Sequence, residues 1–295
     1  MLASRHEGIV WQHARDSRRE RGNRVSAGPV VVAGAGDVGL RFARLRLARG
    51  EEVIGLRRRE GEPIAGLRWL RADLSRGEGL AALPRRAAAL VFCAAPDVRD
   101  EAAYRALYVD GLRRAIDACD PARVVFVSST AVYAEDAGEW VDEATPARPP
   151  AFNGRALLAA EQGLAGRPLA TALRCSGIYG PGRGALLRKA RGDQPGARRW
   201  TNRIHAEDVA SAISHLLDLA APPPLLLGND DLPALEQDVL AWLRAREGLP
   251  PLPPAAPGLA TGRRVANARL RATGWAPAFP DYRAGYASLL SGPGV

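Results

Sequence analysis

Residues Val30-Val31-Val32-Ala33 form a short, uninterrupted apolar run, and Gly34-Ala35-Gly36-Asp37-Val38-Gly39 follows it without a break. That junction constrains the fold more than anything else in the chain. Four apolar residues in a row suit a strand buried on both faces, as at the centre of a parallel sheet. The glycine spacing that follows suits a strand-to-helix turn against phosphates. Gly34 permits the tight turn, Gly36 leaves the backbone bare for a pyrophosphate, and Gly39 lets the helix pack closely on the strand. Asp37 and Val38 then open a helix whose free N–H groups face the phosphates. The expected opening unit is a dinucleotide-binding βα pair.

The pattern continues in the same rhythm. An amphipathic helix is predicted from about Val38 to Ala48, and a second strand over Glu52 to Leu56. Further apolar runs lie at Leu67–Leu70, Ala89–Cys93, Val124–Val127 and Leu169–Leu173, with helical stretches near Glu101–Ala118 and Arg155–Ala165. Strands alternating with helices predict an α/β fold with a doubly wound parallel sheet of the Rossmann type. Regularity fades after Pro181, where Pro222-Pro223-Pro224 and the Leu249–Pro257 segment punctuate two or three remaining helices. The expected organisation is a basic, disordered tail over 1–27 and a dinucleotide-binding core over 28–181, completed by about 201–228. Residues 182–200 and 229–295 are expected to form a smaller, discontinuous C-terminal substrate lobe.

Charge selects the dinucleotide. NAD sites usually place Asp or Glu at the end of the second strand, about 20 residues past the glycines, to bond the ribose 2′-OH. Here that strand ends in Arg57-Arg58-Arg59. A carboxylate repels a 2′-phosphate whereas a guanidinium binds it through two N–H groups. NADP(H) is therefore expected in preference to NAD(H), with Arg57 and Arg58 as its ligands. Asp73 and Leu74, after the third strand, are placed to meet the adenine edge, and Ala94 and Ala95 close the fourth strand where the cofactor crosses the sheet.

Composition excludes other classes. No stretch reaches the roughly 18 consecutive apolar residues of a bilayer span, and no secretory h-region is present. Cys93, Cys119 and Cys175 are widely spaced in apolar contexts, which fits reduced buried thiols better than a disulfide framework or a metal site. A soluble, cytoplasmic protein without a metal is expected. The net charge of +9 comes almost wholly from arginine interleaved with Asp and Glu, without a nucleic-acid-binding motif, so a small molecule is the expected partner.

Four further segments, in order, carry a resemblance. They are Ser128-Ser129-Thr130-Ala131-Val132-Tyr133, Trp140-Val141-Asp142-Glu143-Ala144-Thr145-Pro146, Arg174 through Gly182, and Asn202 through Ala210. With the glycine motif they resemble the extended short-chain dehydrogenase/reductases, which include nucleotide-sugar epimerases and dehydratases, over about residues 29–290. The resemblance implies NAD(P)-dependent hydride chemistry on a hydroxyl or carbonyl substrate, a substrate pocket in the C-terminal lobe and often a homodimer formed by two helices. It also implies a Tyr-x-x-x-Lys pair. None exists here: Lys189 is the only lysine in the chain, and Ala185 stands four residues before it. The corresponding stretch, Asn153 through Gln162, has Asn153 in place of the tyrosine and Leu157 in place of the lysine. This resembles an atypical branch that keeps the upstream serine.

The candidate catalytic residues are accordingly Ser129 as a hydroxyl donor, Asn153 as a hydrogen-bonding group that does not titrate, and Tyr108 as a substitute acid. Asp208 is placed to cap the helix that follows it, with His205 fixing the loop. Arg183, Arg264 and Asn267 are the candidate substrate contacts, the arginines for a phosphorylated group. The expected function is an oxidoreductase or epimerase, and the alternative is a catalytically silent NADP(H)-binding sensor or scaffold.

Overall fold

The computed structural model describes residues 28–59 and 61–291; the tail expected over 1–27 lies outside them. The strand β1 (Val30–Ala33) is buried along its whole length and lies at the middle of a seven-stranded sheet. Around it are β2 (Val53–Arg57), β3 (Leu67–Arg71), β4 (Ala89–Phe92), β5 (Val124–Ser129), β7 (Ala170–Cys175) and β11 (Leu225–Gly228), in the order β11-β7-β5-β4-β1-β2-β3. All neighbours are parallel, with Val30 paired to Val53 on one side and to Ala89 on the other. The doubly wound parallel sheet read from the sequence is the fold of the protein.

Alternation along each strand divides the core into two layers, each covered by helices. Helix α1 spans Asp37–Leu47. Helix α2 is composite: Glu101–Tyr104, a π-helical stretch over Arg105–Gly111, and Leu112–Cys119. Helix α3 spans Phe152–Gln162. Val31 and Ala33 join Leu90, Phe92 and Phe126 beneath α2 and α3. Val30 and Val32 join Val53, Val91 and Leu173 on the other face, which α1 covers together with a later helix over Ala206–Asp218.

The structure adds elements that the sequence reading lacks. The seventh strand, β11, starts directly after Pro224, where the proline run reads as a break. Beyond it are a parallel pair, β8 (Gly177–Tyr179) with β10 (Arg203–His205), and a separate four-stranded sheet. The latter comprises β6 (Ala137–Val141), β9 (Arg199–Thr201), β12 (Ala234–Leu235) and β13 (Thr261–Val265), in the order β12-β9-β13-β6. Among the described residues five helices, not two or three, follow Pro181: α4 (Ala185–Ala190), α5 (Ala206–Asp218), α6 (Glu236–Arg246), α7 (Ala268–Ala272) and α8 (Tyr282–Leu290). A third apolar cluster, with Tyr179, Leu187, Val239, Leu243 and Tyr286, joins α4, α6 and α8. Among the described residues no helix is long and apolar enough to cross a membrane.

Candidate active site

The glycine-rich turn lies at the switch point of the sheet, where β1 is flanked by β2 and β4 and the connections diverge to opposite sides. Gly34 has φ 93°, and a Cβ there would sit 2.4 Å from the backbone of Ala94. The turn is thus pressed against the end of β4, with Ala95 following it. A Cβ on Gly39 would lie 2.6 Å from the Gly34 carbonyl oxygen, so only glycine lets α1 approach so closely. At Gly36 an added Cβ would meet nothing within 4 Å. No side chain caps α1, so its first N–H groups stay available to an anion beside an open cradle. These features fit a dinucleotide pyrophosphate.

Asp37, the first residue of α1, is held by two arginines. Arg41 Nε lies 2.7 Å from its Oδ1 and Arg183 Nε 2.6 Å from its Oδ2, while Arg41 also pairs with Glu207. Burial pushes the Asp37 carboxyl up, but the hydrogen bonds from Arg183 and Arg41 outweigh it and hold the group below its ordinary value. At the other end of the crevice, the Arg57 guanidinium sits over the Trp69 ring, 5.6 Å from its centroid. Arg58 pairs with Asp97 in the loop after β4. Asp73 Oδ1 accepts hydrogen bonds from the N–H groups of Ser75 (2.9 Å) and Arg76 (3.1 Å), fixing its own turn beside buried Leu74.

Strand β5 runs to Ser129, whose hydroxyl accepts from Ala131 N–H at 3.2 Å and caps the single turn Thr130–Val132. A Cβ on Gly154 would be 2.4 Å from the Ala131 carbonyl, so α3 is seated on that turn and carries Asn153 with it. Ser129 and Asn153 therefore lie on adjoining segments. Tyr108 is different. Its ring is buried in the π-helical part of α2, packed edge-on against Tyr104 and Phe126. Burial, reinforced by Tyr104, pushes its phenol up to about 12, the reverse of the shift that a proton donor needs. The geometry thus gives Tyr108 a packed, buried ring among Tyr104 and Phe126, an environment that does not favour the substitute-acid role expected from the sequence.

Behind the serine lies a buried polar network. Arg174 donates to Glu161 through Nε (3.0 Å) and Nη2 (2.6 Å) and to the Tyr133 hydroxyl through Nη1 (2.8 Å). The Ser128 hydroxyl donates to Glu161 (2.5 Å) and the Tyr133 hydroxyl to the Asp142 carbonyl (2.8 Å). This locks the ends of β5 and β7 to α3.

A correction concerns α5. His205, not Asp208, caps it, accepting the Glu207 N–H at Nδ1, and burial lowers the pKa of its ring. The Asp208 carboxylate instead accepts from the N–H groups of Ala278 (2.7 Å) and Phe279 (3.1 Å), fastening the C-terminal segment to α5. The three candidate substrate contacts are not brought together. Arg183 is on Asp37; Arg264 donates to the Gly138 carbonyl and lies over Trp140 and Trp200; Asn267 donates to the Asn229 carbonyl and to Asp231. Between β9, β13 and the end of β5 lies a cleft of about 210 Å³, lined by Thr130, Arg199, Thr201, Asn202 and Arg263 among others. Arg263 donates to the carbonyl oxygens of Glu135 and Thr130 rather than to a carboxylate.

The sequence profile of the NAD dependent epimerase/dehydratase family matches residues 30–224. The chain belongs to this family. Solved structures share its fold. One is a Methylobacillus flagellatus protein described as a proposed NAD-dependent epimerase/dehydratase. It is 39% identical with a TM-score of 0.79, over 90% of this chain and 98% of that one. Another is the UDP-glucose 4-epimerase of Thermus thermophilus in complex with NAD. At 22% identity and a TM-score of 0.73, over 90% of this chain and 99% of that one, it shares the fold. Protein YeeZ of Escherichia coli (strain K12) is 38% identical over 97 residues; the match covers 32% of this chain and 35% of YeeZ.

In this member of the family the sole lysine is engaged elsewhere: Lys189 on α4 pairs with Glu236 on α6. Leu157 is buried in the core under α3. Arg264 is the residue expected from the sequence, but its neighbour Arg263 lines the cleft. The signal that separates them is strand register, since adjacent residues face opposite sides, and β13 carries an irregularity between Gly262 and Arg264.

Proposed function

We propose that this epimerase/dehydratase-family protein binds NADP(H) in preference to NAD(H) and supports oxidoreductase or epimerase chemistry on a hydroxyl or carbonyl group of a small molecule. The observation that carries the reading is the open, uncapped start of α1 above Gly36 at the switch point of the sheet. Gly34, Gly36, Val38 and Gly39 would hold the pyrophosphate, and Arg57, braced on Trp69, would hold a 2′-phosphate. When bound, the nicotinamide supplies hydride exchange with a substrate carbon. The protein's task is to orient the oxygen on that carbon. The Ser129 hydroxyl donates to it from the end of β5, with Asn153 on the adjoining segment as a second donor. Neither side chain exchanges a proton near neutral pH, so the pair suits polarising a carbonyl better than stripping a hydroxyl. The cleft at Arg263 offers a guanidinium to an anionic substrate group, and a nucleotide sugar fits that requirement.

The second reading is a silent dinucleotide-binding sensor or scaffold, favoured by Leu157 standing buried where the resemblance requires a lysine. Incubation of the protein and NADPH with a panel of carbonyl compounds and nucleotide sugars separates the two. Loss of nicotinamide absorbance, abolished in Ser129→Ala, supports the enzyme; an inert panel with intact NADPH binding supports the sensor.

A further inference from the structure

We infer that Arg183 is a clasp on the bound dinucleotide, not a substrate ligand, and that it joins the loop after β8 to the glycine-rich turn across the pyrophosphate. The inference rests on the dinucleotide reading of that turn. Arg183 belongs to Gly180-Pro181-Gly182-Arg183-Gly184, the connection from β8 to α4. It is flanked by glycines, and Gly182 has φ 77° with open space where a Cβ would stand. Gly182 thus supplies a backbone conformation that a residue with a side chain rarely adopts. Its side-chain tie runs to the start of α1: Arg183 Nε lies 2.6 Å from Oδ2 of Asp37, 146 residues away in sequence.

The chemistry of that contact favours a phosphate as the third member. Asp37 follows Gly36 directly and shares the start of α1 with the expected pyrophosphate, so its negative charge opposes the ligand's. Two arginines offset it, and the cluster of Asp37 and Glu207 against Arg41 and Arg183 carries no net charge. Arg41 is occupied on both sides, by Asp37 and Glu207. Arg183 is not. Among the described residues only its Nε is engaged, which leaves the two Nη groups as donors. A guanidinium held at one edge by a carboxylate can bind phosphate oxygens with its other N–H groups. The pair alone is partly exposed, at 41% for Arg183 and 30% for Asp37, and pairs of that kind open readily. It can therefore admit the cofactor and close firmly only once the phosphate completes the bridge.

The test is the release rate of NADPH, followed by nicotinamide fluorescence on displacement, in the wild type, Arg183→Gln and Asp37→Asn. The clasp predicts release about tenfold faster in Arg183→Gln, the scale of one charge-assisted hydrogen bond, with a smaller change in association. Asp37→Asn is the sharper variant. Removing a negative charge beside the pyrophosphate should by electrostatics alone slow release, whereas loss of the clasp's anchor speeds it. Unchanged release in Arg183→Gln, or slower release in Asp37→Asn, overturns the clasp while leaving dinucleotide binding intact. A wild-type protein that binds no NADPH overturns the dinucleotide reading itself, and the clasp with it.

Discussion

Arg174 and Glu161 show how a buried ion pair can be tolerated. Both side chains are almost fully buried, and they face each other through three hydrogen bonds, with Tyr133 and Ser128 taking further positions. Desolvation opposes the Arg174 charge, but Glu161 and Tyr133 outweigh it and keep the guanidinium ionised. Removing one member leaves the other buried without a partner. Glu161→Ala should therefore lower stability by about 3–5 kcal/mol in chemical denaturation, a loss characteristic of an orphaned buried ion. A change below about 1 kcal/mol, typical of exposed ion pairs, would show that the network contributes little. Arg57 illustrates the opposite condition: it is exposed and rests on Trp69, so its replacement should alter ligand choice and leave folding unchanged.

At the scale of elements, the βα junction that opens the fold was legible because every local rule agrees on it. The apolar run, the glycine spacing and the lack of a capping side chain all specify a buried strand that turns tightly into a helix. Gly39 is the least replaceable part, and Gly39→Val would drive its side chain into the Gly34 carbonyl and into Val32. We expect that variant, if folded by circular dichroism, to lose dinucleotide binding; retained binding would show that the turn is not the ligand cradle. Other elements were hidden for physical reasons. Strands β9, β12 and β13 have two to five residues with little apolar alternation, so no period-2 signal distinguishes them from loop. Pro222-Pro223-Pro224 masked β11, although a proline run just outside a strand is compatible with one. Tyr108 could be placed by sequence on α2 but not assigned a face, because the π-helical stretch breaks the 3.6-residue period. At the candidate site, the glycines and Ser129 were visible as motifs, whereas the cleft at Arg263 depends on a strand register that only the folded chain fixes.

At the scale of the whole molecule, Asp230 links the edge of the large sheet to the four-stranded one. It is buried, follows β11 and precedes β12, with Oδ1 accepting from the Leu232 N–H at 3.2 Å and its own N–H donating to the Arg203 carbonyl. Burial, partly offset by Arg203, pushes its carboxyl up to about 8. The folded state thus retains a proton that the unfolded chain has released at neutral pH. That contribution is complete below the ordinary carboxylate range and is lost as pH rises through about 8. Thermal melts at pH 6 and pH 9 should show a larger fall in Tm for the wild type than for Asp230→Asn, which cannot ionise. Parallel falls would show that Asp230 is charged throughout. The central claim lies with the crevice that this architecture creates above Gly36. It is tested most directly by parallel titrations with NADPH and NADH, following nicotinamide fluorescence. The account predicts NADPH binding at least about tenfold tighter, with the advantage lost in Arg57→Asp. Binding of neither nucleotide, or tighter NADH binding that Arg57→Asp leaves unchanged, would contradict it.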